Sequence, residues 1–137
     1  MIHFYRQRIT INISRKPVEK NINTELQWLG SSLGLFNLRD KDSSCFRVFI
    51  EMLKAAKMHQ PLNSDEIAQK LNLSRGTVIH HINKLMEAGI VVHHNKRYLL
   101  RVDTLHALIN EMEKDFERAL DDLKEIKICV AYKYRNK

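Results

Sequence analysis

Two short helical patterns separated by only three residues constrain the fold of this chain more than any other feature. Asn63 and Ser64 start the first pattern, which runs to about Leu71, because both residue types favour helix N-caps. The second pattern runs from about residue 75 to 88 and stops at Gly89, the residue type that most often ends a helix in a left-handed conformation. Helices joined by so short a turn are typical of a helix-turn-helix.

The second of these helices has one apolar face and one small, polar face. At 100° per residue, Val78, Ile82 and Leu85 share a face that suits a core. The opposite face is small and hydrogen-bonding with a cation, which packing alone does not explain, and it presents Gly76, Thr77, His80, Asn83 and Lys84. In a helix-turn-helix, residues near the start of the second helix contact base edges in the major groove of DNA.

The segments that follow predict a hairpin and a long helix. Two β-prone runs, 90–92 and 98–100, flank a polar and basic stretch, so we expect a hairpin with a basic tip. A helix beginning near Asp103 or Thr104 has apolar residues spaced alternately by four and three, which is a heptad pattern. Its apolar positions are Leu105, Ile109, Met112, Phe116, Ala119, Leu123 and Ile126. This pattern favours dimerisation, with packing on its own domain as the alternative.

Both ends of the chain alternate apolar and polar residues with the period of a strand. Residues 8–14 predict a half-buried strand that Pro17 ends, and residues 128–134 could form a second strand or continue the long helix. Pairing of the two within one subunit, pairing across a dimer, and an arm on DNA formed by Arg6 and Arg8 remain open. Between the first strand and the helix-turn-helix, the patterns predict two more helices, at about 24–33 and 44–58.

The charge is uneven along the chain. The net charge is +7, and the basic residues concentrate in residues 1–22, in residues 74–101 and in the tail from Lys124. Residues 103–123 are acidic, so this part of the long helix should stand away from phosphates. A basic surface at the second helix and hairpin favours a nucleic-acid partner.

Residues 73–91, LSRGTVIHHINKLMEAGIV, resemble the recognition helix of ArsR-type winged-helix transcription regulators. The resemblance covers about residues 63–126 and implies a homodimeric repressor that binds double-stranded DNA. Residues assigned to DNA on this basis, with Arg75 equally suited to a local salt bridge, are Ser74, Arg75, Gly76, Thr77, His80, His81, Lys84, Lys96 and Arg97. Residues assigned to the dimer contact are Leu105, Ile109, Met112, Phe116 and Leu123.

Metal sensing, common in the family, is not expected here. The first helix of the helix-turn-helix has no Cys-x-Cys pair, and Asp103 and His106 at the start of the last helix lack the family's two-residue spacing and a later histidine. Adjacent histidines such as His80 and His81 diverge by about 100° on a helix and cannot readily chelate one ion. We therefore expect no metal and no cofactor.

Other protein classes are disfavoured by composition and motif. The longest apolar runs fall well short of a membrane span, and the first residues show no secretory cleavage pattern. The two cysteines, Cys45 and Cys129, are far apart. With no catalytic constellation or glycine-rich phosphate loop, we expect a cytoplasmic protein that is not an enzyme.

The expected fold is mainly α with a small β component, a winged helix-turn-helix with a long C-terminal dimerisation helix. Its segments are a basic strand-bearing segment (1–22), the DNA-binding domain (23–102, with helix-turn-helix 64–88 and wing 90–101), the dimerisation helix (103–127) and a basic tail (128–137). The expected function is sequence-specific DNA binding by a homodimeric transcription regulator. The alternative is a winged-helix module for protein interaction or for non-specific DNA binding in chromatin.

Overall fold

The computed structural model describes residues 6–36 and 42–135, except for the side chains of 127–132 and 135. In this part of the chain, five helices and one antiparallel hairpin surround a single core. The chain is therefore mostly helical with a two-stranded sheet and a long last helix, as the sequence predicted.

Two helices precede the helix-turn-helix. Helix α1 spans Ile22–Ser32 and begins at Asn21, whose side chain accepts a hydrogen bond from the backbone N–H of Asn23. Helix α2 spans Ser44–Lys57 and supplies the centre of the core. Its inward residues are fully buried because they recur at helical spacing on one face, and the largest of them are Val48, Phe49 and Met52.

The helix-turn-helix lies where the sequence predicted it. Helix α3 spans Ser64–Leu71 and starts with a capping box, in which the side chains of Asn63 and Glu66 each accept a hydrogen bond from the other's backbone N–H. Helix α4 spans Arg75–Glu87. Asn72 ends α3 in the left-handed conformation that asparagine tolerates, which turns the chain toward α4.

The hairpin packs directly onto this motif. Strand β1 spans Val91–His94 and pairs antiparallel with β2, which spans Arg97–Leu100. Leu62, just before α3, forms an isolated bridge with Tyr98 through backbone hydrogen bonds of 2.9 and 2.7 Å. The hairpin is thus fixed to the start of the helix-turn-helix, which is the arrangement of a winged helix.

The last helix is longer than the predicted 103–127. Of the two alternatives left open for the tail, a strand or more helix, the tail continues the helix. Helix α5 spans Leu105–Arg135, whereas the sequence predicted a helix over 103–127 and a possible strand beyond it. Residues 105–135 contain no glycine or proline, and an existing helix extends at little cost. Alternation of apolar residues at 128–134 therefore did not make a strand; residues 136–137 lie outside the described part of the chain.

The predicted amino-terminal strand is wrong. Residues 7–17 form no strand or helix, and their backbone hydrogen bonds go elsewhere. The N–H of Arg8 donates to Glu87 O and that of Asn12 donates to Ser32 O, each at 2.8 Å. Helix ends therefore take the donors that a neighbouring strand would have taken, and Ile13 stays almost fully exposed.

Candidate nucleic-acid interface

The start of α4 is capped by Ser74, one of the residues assigned to DNA. Its side chain accepts a hydrogen bond from the Thr77 N–H at 3.1 Å, and its hydroxyl donates to Thr77 Oγ1 at 2.8 Å. This satisfies one of the free N–H groups at the helix start. Ser74 therefore shapes the beginning of the helix, and the Thr77 hydroxyl that accepts its bond lies at the half-exposed surface.

The face of α4 that was expected to meet DNA is open to solvent. Val78, Ile82 and Leu85 are fully buried on the core side, while Gly76, His80 and Asn83 are exposed and Lys84 is half-buried. A Cβ built on Gly76 would meet no atom within 4 Å. The packing of the protein therefore does not require glycine at this position. Glycine is nevertheless present, even though it weakens a helix by about 0.5–1 kcal/mol relative to alanine.

His81 does not belong to this exposed face, which corrects its assignment to DNA. Only 8% of the residue is exposed, and its ring meets the ring of His80 edge-on with centroids 5.3 Å apart. Residues 80 and 81 differ by about 100° around the helix, so only one of them can face outward. The residue that faces outward is His80.

Arg75 is paired within the helix-turn-helix. Its Nε lies 3.6 Å from Asp65 Oδ1, and both side chains are well exposed. An exposed pair of this kind contributes only about 0–1 kcal/mol to stability. The sequence left open whether Arg75 forms a local salt bridge or contacts a phosphate. The structure shows the salt bridge, to Asp65.

The tip of the hairpin is a two-residue turn with a lysine at its end. Asn95 and Lys96 both have positive φ, 50° and 63°, which is the conformation of a type I′ turn. Asparagine adopts it readily, but for lysine it is uncommon. The turn leaves Lys96 fully on the surface, where its ammonium group is available to a phosphate.

Arg97, the second basic residue assigned to the wing, is held by the protein. Its Nη1 donates to Glu66 Oε1 and to Pro61 O, each at 3.1 Å. These bonds join β2 to the start of α3. Lys96 and Arg97 were both assigned to DNA, yet Arg97, although exposed, is bound to Glu66 and Pro61.

Two residues at this surface were not among the assigned ones. Asn83 is exposed one turn after His80, and Asn95 lies at the hairpin tip with its Nδ2 3.2 Å from His94 Nε2. Both amide side chains can donate and accept hydrogen bonds. Helical spacing already placed Asn83 on the outer face, and asparagine between two β-prone runs is a common turn signal.

The residues assigned to the dimer contact divide into two groups. Met112 is buried in the core of its own chain and is not available to a partner, whereas Leu105 is half-buried against that core. Ile109, Phe116 and Leu123 are exposed, and Leu120 and Ile126 extend the same exposed apolar stripe.

Residues 50–92 match the family model described as bacterial regulatory protein, arsR family. This stretch is similar to the helix-turn-helix of that family. The matched residues include the second half of α2, both helices of the motif and the first residues of β1, about a third of the chain. No match was found among curated proteins or solved structures. The resemblance inferred from sequence is confirmed over the matched stretch, and it supports a DNA-binding transcription regulator.

Two further features of the described residues concern metals and membranes. No group of three or more His, Cys, Asp and Glu side chains in that part of the chain is arranged to hold a metal ion. Within the same residues, no helix combines the length and the apolar character that crossing a membrane would require.

Proposed function

We propose that the protein is a sequence-specific, double-stranded DNA-binding transcription regulator that acts as a homodimer. The single observation that supports this most is the exposed, small and polar face of α4, opposite fully buried Val78, Ile82 and Leu85. Thr77 and His80 would contact base edges in the major groove. Lys84 and Lys96 would contact phosphates on either side, which positions the helix without reading sequence.

The exposed apolar stripe on residues 116–126 of α5 supports the homodimer. Phe116, Leu120 and Leu123 lie on the surface at heptad-like spacing. In a two-fold dimer, two α4 helices enter successive major grooves about 34 Å apart. The DNA site is then an inverted repeat. For the effect on transcription we propose repression, which the resemblance to ArsR regulators implies.

Selection of bound sequences from random DNA duplexes tests this function. Enrichment of an inverted repeat supports it. Equal affinity for unrelated duplexes would instead indicate non-specific DNA binding, and absence of submicromolar binding at moderate salt would indicate a protein-interaction module. Transcription in vitro from a promoter that carries the selected site then separates repression from activation.

Substitutions in α4 test base reading once the site is known. Thr77→Ala and His80→Ala should reduce discrimination between the selected site and single-base variants by about 1–3 kcal/mol at the contacted position. His106→Ala, which removes an exposed histidine on α5, is the matched control. Unchanged discrimination in both α4 variants would contradict the assignment.

Two substitutions at Gly76 test how closely DNA approaches the start of α4, one through the stability of the protein and the other through its affinity for DNA. Gly76→Ala should raise the free energy of unfolding by about 0.5–1 kcal/mol, since nothing in the protein opposes a Cβ there. Gly76→Leu places a larger side chain on the same open surface and should lower DNA affinity without unfolding the protein. A Gly76→Leu protein that binds the selected site as wild type does would exclude close approach of DNA at this point.

The wing is tested by the salt dependence of binding. Each phosphate contact contributes about 0.9 to the slope of log K against log salt concentration, and a homodimer has two copies of each contact. Lys96→Ala should therefore flatten the slope, and Arg97→Ala should flatten it less because Glu66 and Pro61 already hold Arg97. Lys114→Ala, which removes an exposed cation from the acidic stretch of α5, should leave the slope unchanged.

A further inference from the structure

Residues 7–12 cross the carboxyl ends of two helices. The backbone N–H of Arg8 donates to Glu87 O, the last residue of α4, and that of Asn12 donates to Ser32 O, the last residue of α1. The final carbonyls of a helix have no partner within the helix itself. This segment, here named the amino-terminal strap, therefore caps both helices.

Side chains of the strap repeat the same bonds one residue away. Asn12 Nδ2 donates to Ser31 O at 2.9 Å, beside the backbone bond to Ser32. Gln7 Nε2 donates to Ala88 O at 3.2 Å, beside the backbone bond to Glu87. Each helix end thus accepts one backbone and one side-chain hydrogen bond from the strap.

Two glycines let the strap approach this closely. Gly34 and Gly89 follow α1 and α4 with φ of +71° and +80°, a region that side chains rarely adopt. A Cβ on Gly89 would lie 2.2 Å from Gln7 Nε2, and one on Gly34 would lie 2.6 Å from Thr10 Cγ2. Both glycines therefore end a helix and make room for the strap.

Gln7 also connects the end of α4 to α5. The same Nε2 donates to Asp115 Oδ2 at 2.8 Å. The Asp115 side chain is only 4% exposed and that of Arg101, just after β2, only 5%. Arg101 donates two hydrogen bonds to this carboxylate, at 2.5 and 3.1 Å. Arg118, whose side chain is about half exposed, forms a second ion pair with it. The end of α4, the exit of the hairpin and α5 meet at Asp115.

We propose that the amino-terminal strap fixes the orientation of α4 relative to α5, and that Gln7 and Asp115 are positioning residues for DNA binding. This inference rests on the proposed function, because α4 would read DNA and α5 would hold the two copies together. α4 packs mainly against α2, α3 and β1. The junction at Gln7 and Asp115 therefore links the DNA-reading helix to the dimer helix, and a small rotation there changes the separation of two recognition helices.

The test measures how binding depends on half-site spacing. The selected inverted repeat is compared with versions whose half-sites lie one base pair closer or farther apart. Gln7→Met keeps the length of the side chain but removes both of its hydrogen bonds. Gln7→Lys keeps a donor for Ala88 O and Asp115 and should keep the wild-type preference for the selected half-site spacing. Arg8→Ala is the neighbouring control, because it removes only an exposed side chain 3.8 Å from Glu87 and keeps the backbone bond.

We expect Gln7→Met to reduce the preference for the selected spacing over the altered ones by at least threefold, with Gln7→Lys and Arg8→Ala close to wild type. A merely stabilising strap would lower affinity for every spacing by the same factor, and that result, like an unchanged preference, would overturn the proposal. Thermal denaturation checks that Gln7→Met is folded at the assay temperature. If it is not, Gln7→Asn replaces it.

Hydrogen exchange without DNA gives a second readout. Protection of the Arg8 amide, which is bonded to Glu87 O, should fall in Gln7→Met while protection within α2 stays as in wild type. Unchanged protection at Arg8 would count against the strap even if DNA binding changed. A wild-type protein that binds no DNA would show that the proposed function has failed, whereas binding with no spacing preference would overturn the positioning role.

Discussion

Residues 105–126 of α5 divide into two halves, 105–115 and 116–126, that have the same apolar spacing but different surroundings. In the first half, Leu108 is 0% exposed and Met112 is nearly as well buried in the core. In the second half, Phe116 is 44% exposed and Leu123 is 65% exposed. The first half is part of the winged helix, and the second half extends away from it with an apolar stripe on its surface.

This difference shows what a heptad pattern reports. The pattern identifies a stripe of apolar side chains, but the hydrophobic effect is non-directional and any apolar surface can cover the stripe. The chain's own core covers Leu105 and Met112. Leu108, which lies outside the predicted seam, is buried more deeply than its predicted neighbour Ile109.

The largest expected effect comes from the buried half. Leu108→Ala should lower the free energy of unfolding by about 2–5 kcal/mol, because it leaves a cavity in a close-packed core. Ile109→Ala, at the next residue and partly exposed, should cost less than about 1 kcal/mol. Urea denaturation at several protein concentrations measures both. Equal losses in the two variants would contradict the division of α5 described above.

The exposed half should affect association rather than folding. Leu123→Ser should weaken self-association by about tenfold or more, since burial of a leucine is worth about 1.5–3 kcal/mol. The stability of the isolated subunit should change by no more than about 0.5 kcal/mol. Sedimentation equilibrium measures the association, with Asp122→Ser as the control. An unchanged dissociation constant would exclude this stripe from the dimer contact.

The buried ion pair of Asp115 and Arg101, at the boundary between the two halves, should contribute less to the stability of the protein in acid. Burial by itself would raise the pKa of Asp115, but hydrogen bonds from Arg101 and Gln7 and the charges of Arg101 and Arg118 outweigh it and hold the pKa below its ordinary 3.8. A carboxylate with a lowered pKa in the folded state stabilises the protein above pH 3.8, and this stability is lost as the pH falls through the lowered value. Each unit of lowering is worth about 1.4 kcal/mol.

Asp115→Asn isolates this contribution. The variant should be less stable than wild type at neutral pH, and the difference should shrink as the pH falls below about 4. Chemical denaturation across this range measures it, and Asp121→Asn on the exposed half is the matched control. A difference that does not vary with pH would mean that the ionised carboxylate is not the stabilising group.

The smallest expected effect is at Arg118, whose guanidinium is about half exposed while its partner Asp115 is buried. Arg118→Ala should cost at most about 1 kcal/mol, because solvent and salt screen an exposed cation and Arg101 continues to hold Asp115. The cost should decrease further in high salt. A loss of unfolding free energy as large as that of Leu108→Ala would mean that Arg118 stabilises the protein as strongly as a buried core residue does.

Much of the winged helix could be predicted because its signals are local. Asn63 caps α3, Gly89 ends α4, and helical spacing separates Val78 and Ile82 from the outward His80. Each of these depends on neighbours within one or two turns. The predicted bounds of the helix-turn-helix and hairpin therefore agree with the structure to within about two residues, the usual uncertainty in helix ends.

The predicted strand at the amino terminus failed because it depended on distant partners. Alternation at residues 8–14 indicates an extended chain, but a strand also needs a neighbouring strand, and here the donors go to Glu87 and Ser32. His81 was assigned to DNA from its place in the motif, although it lies three residues after Val78 and four before Leu85, on the buried face of α4. Nothing in the local sequence indicates that Gln7 meets Asp115.

The sequence by itself determined the helices, the hairpin and the outward face of α4, since hydrogen bonds and side-chain spacing within short segments define them. Tertiary structure alone decided which half of the α5 stripe the core covers, which wing cation forms an ion pair with α3, and where the amino-terminal residues are held. The physical reason is that burial and hydrogen-bond pairing depend on which groups meet in space. Residues 7 and 115, far apart along the chain, meet only after folding.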